Sequence, residues 1–179
     1  MKRTPRRPRE PDRLRSVQTT ILSPRPGGFE RWSQPPTLHA LLHRYFDVAE
    51  QITGHLVRVR WIAGAPAVLV PCPRVRLIVM GVPMVSRDEQ RCAIVVPIVG
   101  GMIVEAAGVA RLSIELARAG DGVRASVALV DYCPRTGRLV AALYRSLQAP
   151  LHQYVGRRFL RQLRPSWDAG LLEPASPHR

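Results

Sequence analysis

No apolar run in this chain approaches the roughly 20 residues that a helix needs to cross a bilayer. The segments around Val68 and Ile94 are interrupted by Pro66, Pro71, Pro73, Pro97 and the Gly100-Gly101 pair, so no transmembrane segment is expected. Cysteines are few. Cys72, Cys92 and Cys133 stand apart, without paired C-x-x-C spacing, which argues against a zinc site and for buried free thiols. Aromatic residues make up only 6% of the chain, and none is interleaved with arginine as in a platform on which single-stranded nucleic acid stacks. An export signal is missing as well: Arg6-Arg7 is not followed by an apolar core, because Arg13 to Ser23 is mixed and runs into Pro24 and Pro26. The expected location is cytoplasmic. No catalytic motif names a reaction, and no cofactor is expected.

Acidic residues are also scarce, 13 against 27 lysines and arginines, giving a formal charge of +14 and an isoelectric point near 11.4. Such a balance brings anionic partners into consideration: nucleic acid, an acidic membrane surface or an anionic small molecule. Much of it lies at the start of the chain, where Lys2, Arg3, Arg6, Arg7, Arg9, Arg13 and Arg15 meet only Glu10 and Asp12. With Pro5, Pro8 and Pro11 among them, residues 1–15 read as a disordered basic arm. At 179 residues and 46% hydrophobic content the chain can bury one core. One domain is expected over residues 16–164, followed by a tail over 165–179.

Two stretches carry a helical period. Thr37 is a candidate N-cap for the first, in which Leu38, Leu41, Leu42, Tyr45, Val48, Ala49 and Ile52 form one stripe that Gly54 stops. The loop before it, Pro24 to Pro36, has room for a short helical turn around Phe29 to Trp32. The second stretch, Leu139 to Leu163, has Val140, Leu143, Tyr144, Leu147, Leu151, Tyr154, Val155, Phe159 and Leu163 on one stripe. Arg138, Arg145, Gln148, Gln153, Arg157, Arg161 and Arg164 turn away, and the last arginines suit the negative end of the helix dipole. Pro150 is expected to kink this helix between Gln148 and Leu151 or to divide it in two.

Between the helices the period falls to two. Ser16 to Leu22 reads as a first strand, and Leu56 to Ile62, Ala67 to Val70, Arg74 to Met80, Arg91 to Val99, Met102 to Ala107, Ala110 to Ala117 and Val123 to Tyr132 follow as further strands. Short glycine connections at Gly100-Gly101, Gly108 and Gly120-Asp121-Gly122 make the later ones antiparallel neighbours. One face of such a sheet needs cover, and the two helices are the long elements available for it. The fold class expected is α+β: an antiparallel sheet of six to seven strands wrapped on a long C-terminal helix, with a shorter helix after the first strand.

This order of elements, with the hairpin rhythm of VPIVGGMIVEAAGVARLSIEL, then VDYCPR, then PLHQYVGRRFLRQL, resembles the START-like or polyketide cyclase (SRPBCC) superfamily with its helix-grip fold. The resemblance spans about Ser16 to Leu163 and is architectural. It implies a hydrophobic ligand enclosed between sheet and C-terminal helix, with cyclisation or hydrolysis in some members and binding alone in many. The superfamily has no invariant catalytic motif, so no residue role is carried over by position.

Read directly, Asp131 and Tyr132 at the end of the last strand, with His152 and Tyr154 on the covering helix, form the best polar constellation for a cavity mouth. An aspartate that orients a histidine would let it move a proton on a bound ketone or enol. Against this, His152 falls on the polar side of the helical wheel, and Asp131 before Pro134 and Gly137 suits a strand-ending turn. Asp131, His152 and Tyr154 are the catalytic candidates; any activity would be cyclase- or hydrolase-like. His39 and His43 have the i, i+4 spacing of a metal face but no third ligand in a recognisable motif, so no metal is expected; His43 with Asp47 reads as a surface pair.

Two functions follow. In the first, a hydrophobic small molecule, lipid- or polyketide-like, occupies a cavity lined by Val95, Val104, Val127 and Leu129 from the sheet and by Tyr144, Leu147, Leu151, Tyr154 and Val155 from the helix. In the second, the basic arm and a patch made by pairing the strands of Arg58, Arg60, Arg74 and Arg76, with Trp61 on the opposite face, bind nucleic acid or an anionic membrane surface. A solvated outer sheet face is the plainer account of those arginines.

Overall fold

From Arg91 to Tyr132 the alternation of side chains becomes the two faces of a sheet. Cys92, Ile94, Val96 and Ile98 on β6 (Arg91–Gly100), Leu112, Ile114 and Leu116 on β7 (Arg111–Ala119), and Val123, Ala125, Val127 and Leu129 on β8 (Gly122–Tyr132) are all buried on one side. The computed structural model describes residues 14–70, 75–104, 110–132 and 149–170. Around those central strands lie β1 (Leu14–Leu22), β2 (Arg58–Ile62), β3 (Ala65–Val70), β4 (Val75–Met80) and β5 (Met84–Arg87). They form one 8-stranded antiparallel sheet in the order β1-β8-β7-β6-β4-β3-β2, with β5 also paired to β6. Three helices are described: α1 (Gly28–Trp32), α2 (Pro35–Ile52) and α3 (Ala149–Ala169). The α+β class and the long covering helix are as the sequence implies.

The strands differ from expectation in informative places. β5 lies in a stretch that the sequence reading left without structure; Met84 to Arg87 pairs with Cys92 to Val95, while β4 takes the far end of β6, so the two share one side of it. The strand expected over Met102 to Ala107 is corrected: among the described residues, Met102 to Val104 form a turn with a single bridge. Its cause is Gly101, whose φ of 131° and approach to the Leu77 carbonyl leave no room for a Cβ. The turn donates backbone hydrogen bonds from Met102 and Ile103 to the Arg76 and Leu77 carbonyls, at 3.0 and 3.3 Å. Register shifts at Leu77 and Val99, and a third at Asp131, bend the sheet around its helices.

α2 begins at Pro35 with Gln34 as its N-cap, so the Thr37 cap is also corrected: prolines suit the first helical positions, and the Thr37 hydroxyl donates to the Arg31 carbonyl instead. Gly54, at a φ of 57°, follows the end of the helix. β1 starts at Leu14, so the strand takes in the last two residues of the expected arm; residues 1–13 lie outside the described residues.

α3 runs through Pro165 to Ala169, past the expected end at Leu163, and takes in the first residues of the expected tail. Trp167 explains this, because with Phe159 and Leu163 it continues the buried stripe. Its indole meets Trp32 edge-on at 5.0 Å and donates to the Ser23 carbonyl at 2.8 Å. Arg44 brackets the proline, bonding the Gln162 carbonyl and the Ser166 hydroxyl, and Arg25 takes the Trp167 and Asp168 carbonyls at the helix end. Pro150 occupies the first described turn; the kink expected before it lies outside the described residues. Among the described residues no helix is long and apolar enough to cross a membrane.

Candidate ligand cavity

α3 lies close on β1. Gln18 faces the helix in the same row as Val127, Ile114 and Ile94, and Gly156 comes so near that a Cβ there would meet the Gln18 carboxamide at 2.5 Å. Toward the other edge of the sheet the contact opens, and a cavity of about 300 Å³ remains between sheet and helices. Its sheet wall is Val59 of β2, Val68 of β3, Leu77, Ile78 and Met80 of β4, Ile98 of β6, Leu112 of β7 and Leu129 of β8, with Val57 and Ile103 from the adjoining turns. Tyr45, Phe46 and Ala49 of α2, with Thr53 at its end, form a second wall, and Leu151, His152 and Val155 of α3 the third. The turn that Gly101 permits is what delivers Ile103 to this lining.

Three of the lining residues bring polar atoms. The Thr53 hydroxyl is engaged, donating back to the Ala49 and Glu50 carbonyls at 3.0 Å. Tyr45 is 3% exposed, its ring edge-on to both Phe46 and Phe159, and its hydroxyl makes no hydrogen bond to any described residue. Burial raises its pKa well above the ordinary phenol value. The His152 ring is likewise without a hydrogen bond among the described residues; it lines the cavity, and burial lowers its pKa to about 4. At neutral pH the described lining therefore has polar groups but no charge, since no lysine, arginine, aspartate or glutamate is part of it.

Of the residues expected to line a cavity, Leu129, Leu151 and Val155 do so. Val127 and Val104 are buried elsewhere in the core, and Val95 stands on the other face of β6, in register with Met84 and Ser113. Tyr154 is turned outward, 51% exposed. Tyr144 and Leu147 lie outside the described residues. The polar constellation is not assembled: His152 lines the cavity while Asp131 and Tyr154 do not, and no hydrogen bond or ion pair joins His152 to Asp131. Asp131 sits at the bulge of β8 with a φ of 54°, a left-handed conformation that short polar side chains tolerate. The α2 wall was missed in the sequence. Its signal is the line Tyr45, Ala49, Thr53 at i, i+4, i+8, where a small residue and a hydroxyl replace bulky apolar ones.

The remaining candidates are placed separately. β3 lies between β2 and β4, so the arginine strands are not partners; Arg58 and Arg76 share a row with Leu69 between them. Arg58 is tied to Glu50 at 3.7 Å, Arg60 and Arg76 are exposed, and Arg74 lies outside the described residues. Trp61 faces the opposite side from Arg58 and Arg60, against the core, where it stacks on His43 at 4.1 Å; His39 bonds the Pro35 carbonyl at 2.9 Å. Cys92 is buried among apolar residues, its thiol pushed up to about 11; Cys72 and Cys133 lie outside the described residues.

No family model matches the chain, and no curated protein does. Among solved structures it is similar to Ara h 8.0201, with 11% sequence identity over 83% of this chain and 98% of that one, and a TM-score of 0.36. The functional reading rests on the cavity itself.

Proposed function

We propose that the protein binds a largely apolar small molecule between its sheet and α3. The observation that carries this is the cavity of about 300 Å³ in the main core, walled by aliphatic and aromatic side chains from two helices and six strands. That volume is at the lower end of small-molecule sites, about 300–1,000 Å³. Water finds few partners on such a surface, and an apolar void of this size left empty costs on the order of several kcal/mol in lost contacts. Against a total stability of about 5–15 kcal/mol this is a large concession, and a bound apolar molecule offsets it.

Titration with the neutral fluorescent probe N-phenyl-1-naphthylamine, together with native mass spectrometry of protein purified from its own host, tests the reading. Saturable binding is expected, together with a co-purifying apolar compound. Ala49→Leu and Val68→Phe, which extend lining side chains into the space, should abolish binding while leaving the thermal midpoint unchanged or higher. Probe binding that survives both substitutions in folded protein would place it outside the cavity and overturn the proposal.

A further inference from the structure

We infer that the molecule bound in the cavity is uncharged and carries hydroxyl or carbonyl oxygens, which hydrogen-bond the Tyr45 hydroxyl and the His152 ring. This rests on the ligand reading above and narrows it to a chemical class. Buried polar groups are almost always hydrogen-bonded, and a buried hydroxyl without a partner is costly. Tyr45, its ring edge-on to Phe46 and Phe159, and His152 of α3 both line the cavity, so a molecule that fills it covers both polar side chains and must itself offer them partners. Two independent helices thus bring donor and acceptor capacity to an otherwise apolar lining, and Thr53 has already spent its proton on its own helix.

The chemistry of the two groups defines what fits. A phenol donates one hydrogen bond and accepts another, and a neutral imidazole offers one nitrogen of each kind. A ketone or an alcohol satisfies either group. A carboxylate or an ammonium does not, because the described lining holds no opposite charge and desolvating an ion there goes uncompensated.

Matched bicyclic probes test this on the intact protein at pH 7: naphthalene, 2-naphthol and 2-naphthoate, each displacing N-phenyl-1-naphthylamine. The expected order is 2-naphthol tightest, naphthalene weaker by about three- to tenfold, and 2-naphthoate weakest. Tyr45→Phe and His152→Leu should each reduce the advantage of 2-naphthol over naphthalene by about three- to tenfold. Equal affinities for naphthalene and 2-naphthol, tightest binding of 2-naphthoate, or variants that shift all three probes alike would overturn the inference and leave the cavity reading intact. Failure of every probe to bind would overturn both. The order among the three probes is read on the unmodified protein, so the test stands even where a variant does not fold.

Discussion

From Phe159 to Ala169 the buried face of α3 is held by Tyr45 against Phe159, by Trp32 against Trp167 and by arginines at its carbonyls; from Leu151 to Val155 the same helix borders the cavity. The apolar stripe runs through both halves, so the difference comes from what faces it. The C-terminal half packs on aromatic rings from α1 and α2, whereas the other half borders a cavity whose far walls include Ala49, Val59 and Val68, short side chains on the last turn of α2 and on β2 and β3. A helix can thus be fixed firmly at one end so that its other end stands off a sheet without collapsing onto it.

The largest effect should come from breaking the fixed end. Trp167→Ala removes a fully buried indole, its ring contact with Trp32 and its hydrogen bond to Ser23, and should cost about 3–5 kcal/mol in chemical denaturation. If that end alone sets the standoff, α3 should fray beyond Pro165 in hydrogen exchange well before the cavity half opens. A cost under about 1 kcal/mol would mean that the aromatic end does not anchor the helix.

Next in size is a pH effect confined to the open half. His152 has a folded pKa near 4 against an ordinary 6.5, so on acidification the unfolded chain takes up its proton first. Its contribution to stability is complete above about pH 6.5 and is lost progressively down to about pH 4, to a total of roughly 3 kcal/mol. Denaturation midpoints across that window should therefore fall for the native sequence and stay nearly level for His152→Leu. Parallel pH profiles for the two proteins would show that His152 is not the buried titrating group.

A smaller loss is expected at the helix terminus. Arg25→Ala leaves the Trp167 and Asp168 carbonyls without their guanidinium and should lower stability by about 1 kcal/mol in a melt at low salt, with probe binding unchanged. Reduced affinity in that variant would mean that the two halves are coupled.

How much of this was legible in the sequence follows the same division. The sheet and both helical stripes could be read because Ile94, Ile114 and Val127 repeat at their strand period and Leu38, Leu42 and Phe159, Leu163 at theirs. The end of α3 lies beyond the expected Leu163 because Trp167, one turn on, continues the buried stripe past Pro165. The helical wheel puts His152 on the polar side, yet its spacing to Gly156, Phe159 and Leu163 is that of the buried line. The α2 wall shows in the sequence only as the line of Tyr45, Ala49 and Thr53, because periodicity reports which way residues point, not how far apart their elements stand.

The smallest expected effect bears on that spacing directly. Gly156 lets α3 approach β1, and the atom that an added Cβ would meet is the far end of a flexible side chain, Gln18, which donates to the Ser16 hydroxyl at 2.8 Å. Gly156→Ala should gain up to about 1 kcal/mol of helix propensity and lose about as much as the Gln18 carboxamide swings away from Ser16, for a net change near zero. Gln18→Ala removes the obstacle, so in that background the same substitution should stabilise, and the double-mutant cycle reads the contact between helix and strand. If Gly156→Ala costs more than about 2 kcal/mol in both backgrounds, the glycine is needed against the β1 backbone itself, and the distance between α3 and the sheet is set at this crossing rather than by the anchored end.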